Sequence, residues 1–120
     1  MSGTHKDSAV TAAAGTPVQL AVDQQLKAGD DSFGLTFVEV AEDSRCPSGT
    51  TCMWAGQARV VLRSDKGERI ELLVPGMSDA VTVKAEIGDV TLTCTGLDPY
   101  PEAGRAQEAG AYRVHLSWTR

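Results

Sequence analysis

The chain has 120 residues, a length typical of a single domain that buries a core of its own. Its formal net charge is −5 and its eleven Lys and Arg residues are scattered, which argues against a nucleic-acid-binding surface. No apolar run reaches the roughly 18 residues that a membrane-spanning helix needs, so the sequence predicts no such segment.

The first sixteen residues, MSGTHKDSAVTAAAGT, predict a flexible N-terminal tail, because Ser, Thr, Ala and Gly offer little surface to bury. The stretch has no apolar segment of the kind found in signal peptides. Two interpretations follow: a cytosolic protein with a loose N-terminus, or an exported protein whose signal has been removed. The cysteines described below favour the second. The second interpretation extends to a lipid anchor in the full-length precursor. Residues 17–120 are predicted to form one β domain.

Strand signals recur from residue 17 onward, separated by Gly, Pro and Asp. In the second of them the apolar positions change parity near Phe37, which predicts a β-bulge or a sheet crossing there. The SDKGER stretch predicts a hairpin turn with Gly67 at positive φ. The predicted strands lie within residues 18–23, 33–40, 57–63, 69–74, 80–87, 89–95 and 111–118. Without a convincing helix, this pattern predicts an all-β fold: an antiparallel sandwich of about seven strands, immunoglobulin-like, in preference to a small barrel.

The three cysteines differ in context. Cys46 and Cys52 enclose the turn-forming sequence PSGTT, which favours a disulfide-stapled loop. A redox enzyme would have a tighter C-x-x-C motif at a helix N-terminus, and a zinc site would have four ligands. Cys94 shares its strand parity with Val90 and Leu92, so we expect it to be buried and free.

The residues beside the cysteine pair are the candidates for binding. Arg45 is next but one to Asp43, which predicts an ion pair that fixes the approach to the loop. The favoured interpretation of Trp54 is a buried cap on one end of the core, and the alternative is an exposed recognition tip formed with Met53. A soft copper site that combines Met53 and Met77 with Cys or His is a further hypothesis.

Catalytic chemistry has little support in the sequence. His115 falls on the outward face of the last predicted strand, where nothing indicates a nucleophile held against it. The acidic residues, among them Asp30, Asp31 and Glu39, match neither the spacing of paired catalytic carboxylates nor that of a calcium-binding EF-hand loop. We therefore predict no catalytic residues, no metal ligands and no cofactor, and a protein that is not an enzyme.

The stretch at residues 43–56 reads DSRCP, then a short turn, then Cys52, Trp54 and Gly56. It resembles a pattern in small exported bacterial proteins and lipoproteins of uncharacterised function. An apolar stretch before it (LTFVEV), an alternating strand after it (ARVVL) and a Pro-x-Pro element ahead of Tyr112 extend the resemblance over most of residues 17–119. The resemblance implies export, a β-fold and a bridged loop, and it brings no activity or catalytic residue.

These observations together predict a non-enzymatic binding or accessory module of the bacterial cell envelope. We expect it in the periplasm, on the outer membrane as a lipoprotein, or secreted. Its partner is an unknown protein or envelope component, recognised through the stapled loop and the candidate residues Arg45, Met53 and Trp54, with the loop at residues 97–110 beside them. A copper-binding protein and a secreted hydrolase inhibitor remain alternatives.

Overall fold

A computed structural model describes residues 9–30, 32–47, 49, 51–54, 56–76, 82–102, 104 and 108–120. Within these residues the chain forms nine β-strands and a short 3-10 helix, Ala109–Ala111. The strands are β1 (Ala9–Ala12), β2 (Val18–Ala21), β3 (Gln25–Ala28), β4 (Gly34–Asp43), β5 (Gln57–Ser64), β6 (Arg69–Pro75), β7 (Val83–Ile87), β8 (Val90–Asp98) and β9 (Arg113–Thr119). No helix in the described ranges has the length and apolar character needed to cross a bilayer.

The strands form two sheets, one of five strands in the order β1-β3-β4-β5-β6 and one of four in the order β2-β9-β8-β7. The five-stranded sheet is a meander of four consecutive strands, β3 to β6, with β1 added beside β3. The four-stranded sheet is a meander of β7, β8 and β9, with β2 added beside β9. The pairing of β1 with β3 is parallel, and the other described pairings are antiparallel. The predicted all-β sandwich is confirmed, with nine strands instead of about seven.

Side-chain alternation places the core between the two sheets. On β5 every second residue from Ala58 to Leu62 is fully buried, and Cys94 on β8 is buried and free, as predicted. The parity change near Phe37 corresponds to a register shift between Phe37 and Glu39 in the β4–β5 pairing. The largest fully buried side chains are Phe37, Leu20, Leu26, Leu62, Leu72, Leu92, Leu116, Val60, Val61, Val74 and Val114.

The predicted tail ends earlier than expected. Residues 9–12 form β1, which pairs with β3, so the boundary at residue 16 is wrong for this stretch. Ala12 is buried, and its carbonyl accepts a hydrogen bond from the indole of Trp118 at 2.9 Å. The amide of Gly15 donates to the Trp118 carbonyl at 2.7 Å. Residues 9–15 are therefore part of the domain, and residues 1–8 of the predicted tail lie outside the described residues.

The sandwich has two ends. At the loop end, β4 finishes at Asp43 and β5 begins at Gln57, with the cysteine pair between them. At the turn end, β4 begins at Gly34 and the hairpin around Gly67, which has the predicted positive φ of 89°, joins β5 to β6. The candidate binding residues all lie at the loop end.

Candidate binding surface at the disulfide loop

A disulfide joins Cys46 to Cys52, with an S–S distance of 2.01 Å and a Cα–Cα distance of 6.0 Å. The predicted bridge is thus confirmed, and it closes the staple loop, residues 46–52. Hydrogen bonds outside the disulfide also join the two segments that flank this loop and form its base: the amide of Ser44 donates to the carbonyl of Gln57 at 2.8 Å. The amide of Gln57 donates to the Ser44 hydroxyl at 3.2 Å.

Gly56 brings the two sides of this base together. Its φ is +69°, and a Cβ atom at this position would overlap the carbonyl oxygen of Ser44. A side chain here would force the two segments apart, so glycine is required both for its conformation and for the close approach. The carbonyl of Gly56 also accepts a hydrogen bond from the amide of Gly76 at 3.1 Å, which ties the loop to the end of β6.

Arg45 and Asp43 form a buried, bidentate ion pair. Nε of Arg45 donates to Oδ1 of Asp43 and Nη2 donates to Oδ2, both at 2.8 Å. The guanidinium also donates to the carbonyls of Leu97 at 2.9 Å and Pro99 at 3.1 Å, and the Tyr112 hydroxyl donates to Oδ2 of Asp43 at 2.8 Å. We call this network the clasp: Asp43, Arg45, Tyr112 and the two carbonyls.

The clasp satisfies the charges that it buries. The side chains of Arg45 and Asp43 are only 2% and 9% exposed, and burial on its own would raise the pKa of Asp43. The hydrogen bonds from Arg45 and Tyr112, together with the positive charge of Arg45, outweigh burial and lower that pKa below its usual value. Asp43 is therefore a carboxylate at neutral pH, bonded on both oxygens.

The clasp joins the staple loop to the segment that follows β8. The Arg45 guanidinium lies 5.0 Å from the centre of the Tyr100 ring, and the Tyr100 hydroxyl donates to the Cys46 carbonyl at 2.8 Å. Two stretches of chain more than fifty residues apart are thus held as one unit. The expected ion pair is confirmed, but the expected contact role of Arg45 is not compatible with this burial, because the side chain is only 2% exposed.

Met53 and Trp54, which we call the tip, point into solvent. Met53 is 94% exposed and Trp54 is 70% exposed, so the favoured interpretation of Trp54 as a buried cap is wrong and the exposed alternative describes it. Tyr112 and the clasp close this end of the core instead. Met53 and Trp54 lie in a bend and not in a strand, so strand alternation does not direct Trp54 inward.

The other candidates do not form a site in the structure. His115 lies on the outer face of its sheet, where Nε2 is 2.6 Å from Oδ2 of Asp98, and the ring packs over Gly96. In the part of the chain that the structure describes, no group of three His, Cys, Asp or Glu side chains is placed to hold a metal ion. Met77 and Asp31 lie outside the described residues, and the copper site remains untested.

Sequence reasoning missed most of the clasp. Tyr112 is buried in the core, and its hydrogen bond to Asp43 links positions 69 apart in the chain. In the sequence, the Pro-x-Pro element at Pro99 and Pro101 forms only part of a resemblance. That the Pro99 carbonyl accepts a hydrogen bond from Arg45 depends on how the two sheets pack together. No family model, curated protein or solved structure matches this chain.

Proposed function

We propose that this protein is a non-enzymatic binding module of the bacterial cell envelope, which recognises a protein or envelope component through the tip. The observation that carries the proposal is the exposure of Met53 and Trp54 on a base that is closed by a disulfide and by hydrogen bonds. Large apolar side chains in solvent are unfavourable for an isolated domain, and a partner that covers them removes that cost.

The rigidity of the base supports the same proposal. A loop whose backbone is already held in its bound conformation loses less conformational entropy on association, and tryptophan is enriched among residues that dominate binding energies. Two further contacts hold the start of the staple loop: Arg45 of the clasp donates to the Leu97 carbonyl, and the Tyr100 hydroxyl donates to the Cys46 carbonyl.

Export is part of the proposal. A disulfide is typical of proteins in oxidising compartments outside the cytoplasm, and Cys46–Cys52 is such a bond. The resemblance of residues 43–56 to exported bacterial proteins and lipoproteins points the same way. Attachment to a lipid, and the choice between periplasm, outer membrane and medium, belong to this proposal.

The experiment compares three immobilised proteins: wild type, Trp54→Ala and Leu73→Ala. Leu73 is the matched control because it is a large apolar residue, 47% exposed, on β6 and outside the staple loop. Each protein is incubated with a solubilised envelope fraction, bound components are identified by mass spectrometry, and stability is measured by urea unfolding.

We expect Trp54→Ala to stay within about 0.5 kcal/mol of wild-type stability, as is usual for exposed positions. It should nevertheless lose the component that wild type and Leu73→Ala both retain. Retention of the same component by Trp54→Ala would show that the tip is not the site.

A secreted inhibitor of a hydrolase is a second candidate function. It is favoured by one observation, the covalent closure of the staple loop, because a loop fixed in this way is preorganised to enter an enzyme cleft. Purified protein assayed against extracellular proteases and cell-wall hydrolases tests it. Inhibition that Trp54→Ala abolishes and Leu73→Ala preserves would establish this candidate, and no inhibition of any of these enzymes would remove it.

A further inference from the structure

We infer that the tip engages a protein partner by placing the Trp54 indole in an uncharged apolar pocket, and that it does not act by lying on a lipid surface. The inference rests on the proposed function and names the kind of partner. Three properties of the loop end carry it: the local absence of charge in the sequence, the exposure of both side chains of the tip, and the fixed geometry of its base.

The sequence around the tip is free of charge. From Cys46 to Ala58 it reads CPSGTTCMWAGQA, thirteen residues without Asp, Glu, Lys, Arg or His, although 22% of the chain is charged and about three charged residues would be expected (13 × 0.22). The preceding residue, Arg45, is buried and paired with Asp43. A pocket that receives the tip therefore needs no counter-charge, and an ionised group at its floor would lose hydration without compensation.

The exposure of the tip favours a partner that is concave where the tip binds. Trp54 is 70% exposed and the adjacent Met53 is 94% exposed, so most of both side chains is available for contact. A flat surface covers only one side of a protruding indole, whereas a pocket covers both faces and its edge. Buried aromatic anchors of this kind dominate many protein interfaces.

The fixed base of the loop favours a protein pocket over a membrane as the partner of the tip. A protein pocket rewards a fixed loop backbone, because the complementary shape is also fixed. A fluid bilayer adapts to whatever enters it and gains little from the disulfide, from the Ser44–Gln57 pairing or from the close packing at Gly56. Peripheral membrane segments also use Lys and Arg to attract anionic lipids. This segment has none, and the whole chain carries a net charge of −5.

A second copy of the chain fits less well. At the turn end lies a groove of about 320 Å³ whose lining includes Phe33, Lys27 and Asp65. Tip-to-groove contact would join molecules head to tail in an open chain. The groove brings charged side chains against an uncharged tip, so self-association is an outcome to be tested and not the expected one.

The test is site-specific photo-crosslinking of the full chain in the native envelope fraction. The crosslinking residue p-benzoylphenylalanine replaces Met53 in one protein and Leu73 in a control protein. Unlabelled wild type, Trp54→Phe and Trp54→Lys then compete for the crosslinked product. Two further measurements use purified wild type and Trp54→Lys: tryptophan emission with vesicles of phosphatidylcholine, alone and mixed with phosphatidylglycerol, and sedimentation velocity over a range of concentrations.

We expect one saturable protein product at position 53 and none at position 73. Wild type should compete fully and Trp54→Phe more weakly, while Trp54→Lys should be weaker than wild type by roughly 30-fold or more, the size of an interface hot spot. Vesicles should leave the emission unchanged, and the protein should sediment as one species.

Other outcomes overturn the inference in distinguishable ways. If Trp54→Lys competes as well as wild type, the loop binds a partner without an indole pocket, and the proposed function survives. A blue shift with vesicles that Trp54→Lys abolishes identifies a lipid surface, and a crosslink between two copies identifies self-association. If neither position gives a saturable product, the proposed function fails as well.

Discussion

The two ends of the sandwich use an arginine and a tryptophan in opposite ways. At the loop end Arg45 is buried and Trp54 is 70% exposed, whereas at the turn end Trp118 is 3% exposed and Arg120 lies in solvent. Each arginine lies over an aromatic ring, at 5.0 Å for Arg45 over Tyr100 and at 5.4 Å for Arg120 over Trp118. Both are arginine–aromatic contacts, but Arg45 is buried whereas Arg120 is exposed to solvent.

The turn end shows the simpler way to close a core. The indole nitrogen of Trp118 donates to the carbonyl of Ala12, and its ring meets that of Phe33 edge-on at 5.1 Å between centroids. One hydrogen bond satisfies the only polar group of the indole, so burial of this large apolar side chain is almost wholly favourable.

The loop end is closed by a network that is costlier to assemble. Two charges leave water there, and they are tolerated because Asp43 and Arg45 bond to each other, to Tyr112 and to backbone carbonyls. The result is a rigid base with its aromatic residue left outside. The turn end therefore uses its tryptophan to stabilise the core, and the loop end leaves its tryptophan exposed to solvent.

The two tryptophans should respond very differently to truncation. We expect Trp118→Ala to lower the free energy of unfolding by about 3 to 5 kcal/mol, because it leaves a cavity in the core. Trp54→Ala should change it by no more than about 0.5 kcal/mol. Urea unfolding followed by circular dichroism measures both without relying on tryptophan emission. Similar losses in the two variants would mean that Trp54 contributes to the core and that the contrast between the ends is false.

The two arginines should differ as well. Arg45→Met leaves the Asp43 carboxylate buried without its counter-charge, so we expect a loss of about 3 to 5 kcal/mol. Arg120→Met breaks ion pairs to Asp30 and Asp89 that are exposed, and it should cost at most about 1 kcal/mol.

Adding Asp43→Asn to the Arg45→Met variant provides the control, because it removes the uncompensated charge. Urea unfolding of this double variant should show recovery of part of the lost stability. If Arg45→Met alone is neutral, the clasp is not what holds the loop end together.

The part of the fold that the sequence predicted rests on local pattern. Alternation of apolar and polar residues located seven strands, and the turn sequence between Cys46 and Cys52 located the bridge. The two strands that were missed, β1 and β3, have four residues each and contain residues of weak strand preference such as Ala, Gln and Lys. They are strands because β4 offers a partner to β3, and β3 to β1, which the local sequence does not reveal.

The candidate site was predicted less well, because its geometry depends on distant segments. Asp43 and Arg45 are close in sequence, but their burial depends on distant partners. Leu97 lies at the end of β8, Pro99 just after β8 and Tyr112 just before β9. The exposure of Trp54 could not follow from its apolar character, which ordinarily indicates burial. It follows from the clasp and Tyr112, which already close this end of the core.

Loss of the disulfide should have an intermediate effect. We expect the double variant Cys46→Ser, Cys52→Ser to be less stable by about 2 to 2.5 kcal/mol, the chain-entropy value for a loop of this length. The protein should still fold, because the clasp and the Ser44–Gln57 pairing remain. A thiol reductant should bring wild type to the stability of the variant and leave the variant unchanged, and an effect of reductant on the variant would place the labile contact elsewhere.

The smallest expected effect separates the two ends by pH. The folded-state pKa of Asp43 is lowered, so its contribution to stability is present above the unfolded-state value of about 4 and is lost as the pH falls through the folded-state pKa. At the turn end, hydrogen bonds from Ser32 and Arg120 lower the pKa of Asp30 to about 2, but that carboxylate is solvent-exposed and water screens its interactions.

Unfolding free energies measured from pH 6 down to about pH 2 should therefore fall less steeply for Asp43→Asn than for wild type, since the variant has no charge to lose at the clasp. Asp30→Asn should follow the wild-type curve more closely. If the unfolding free energy of Asp43→Asn falls with pH as steeply as that of wild type, the acid sensitivity arises outside the clasp. The two ends would then not differ in their electrostatics.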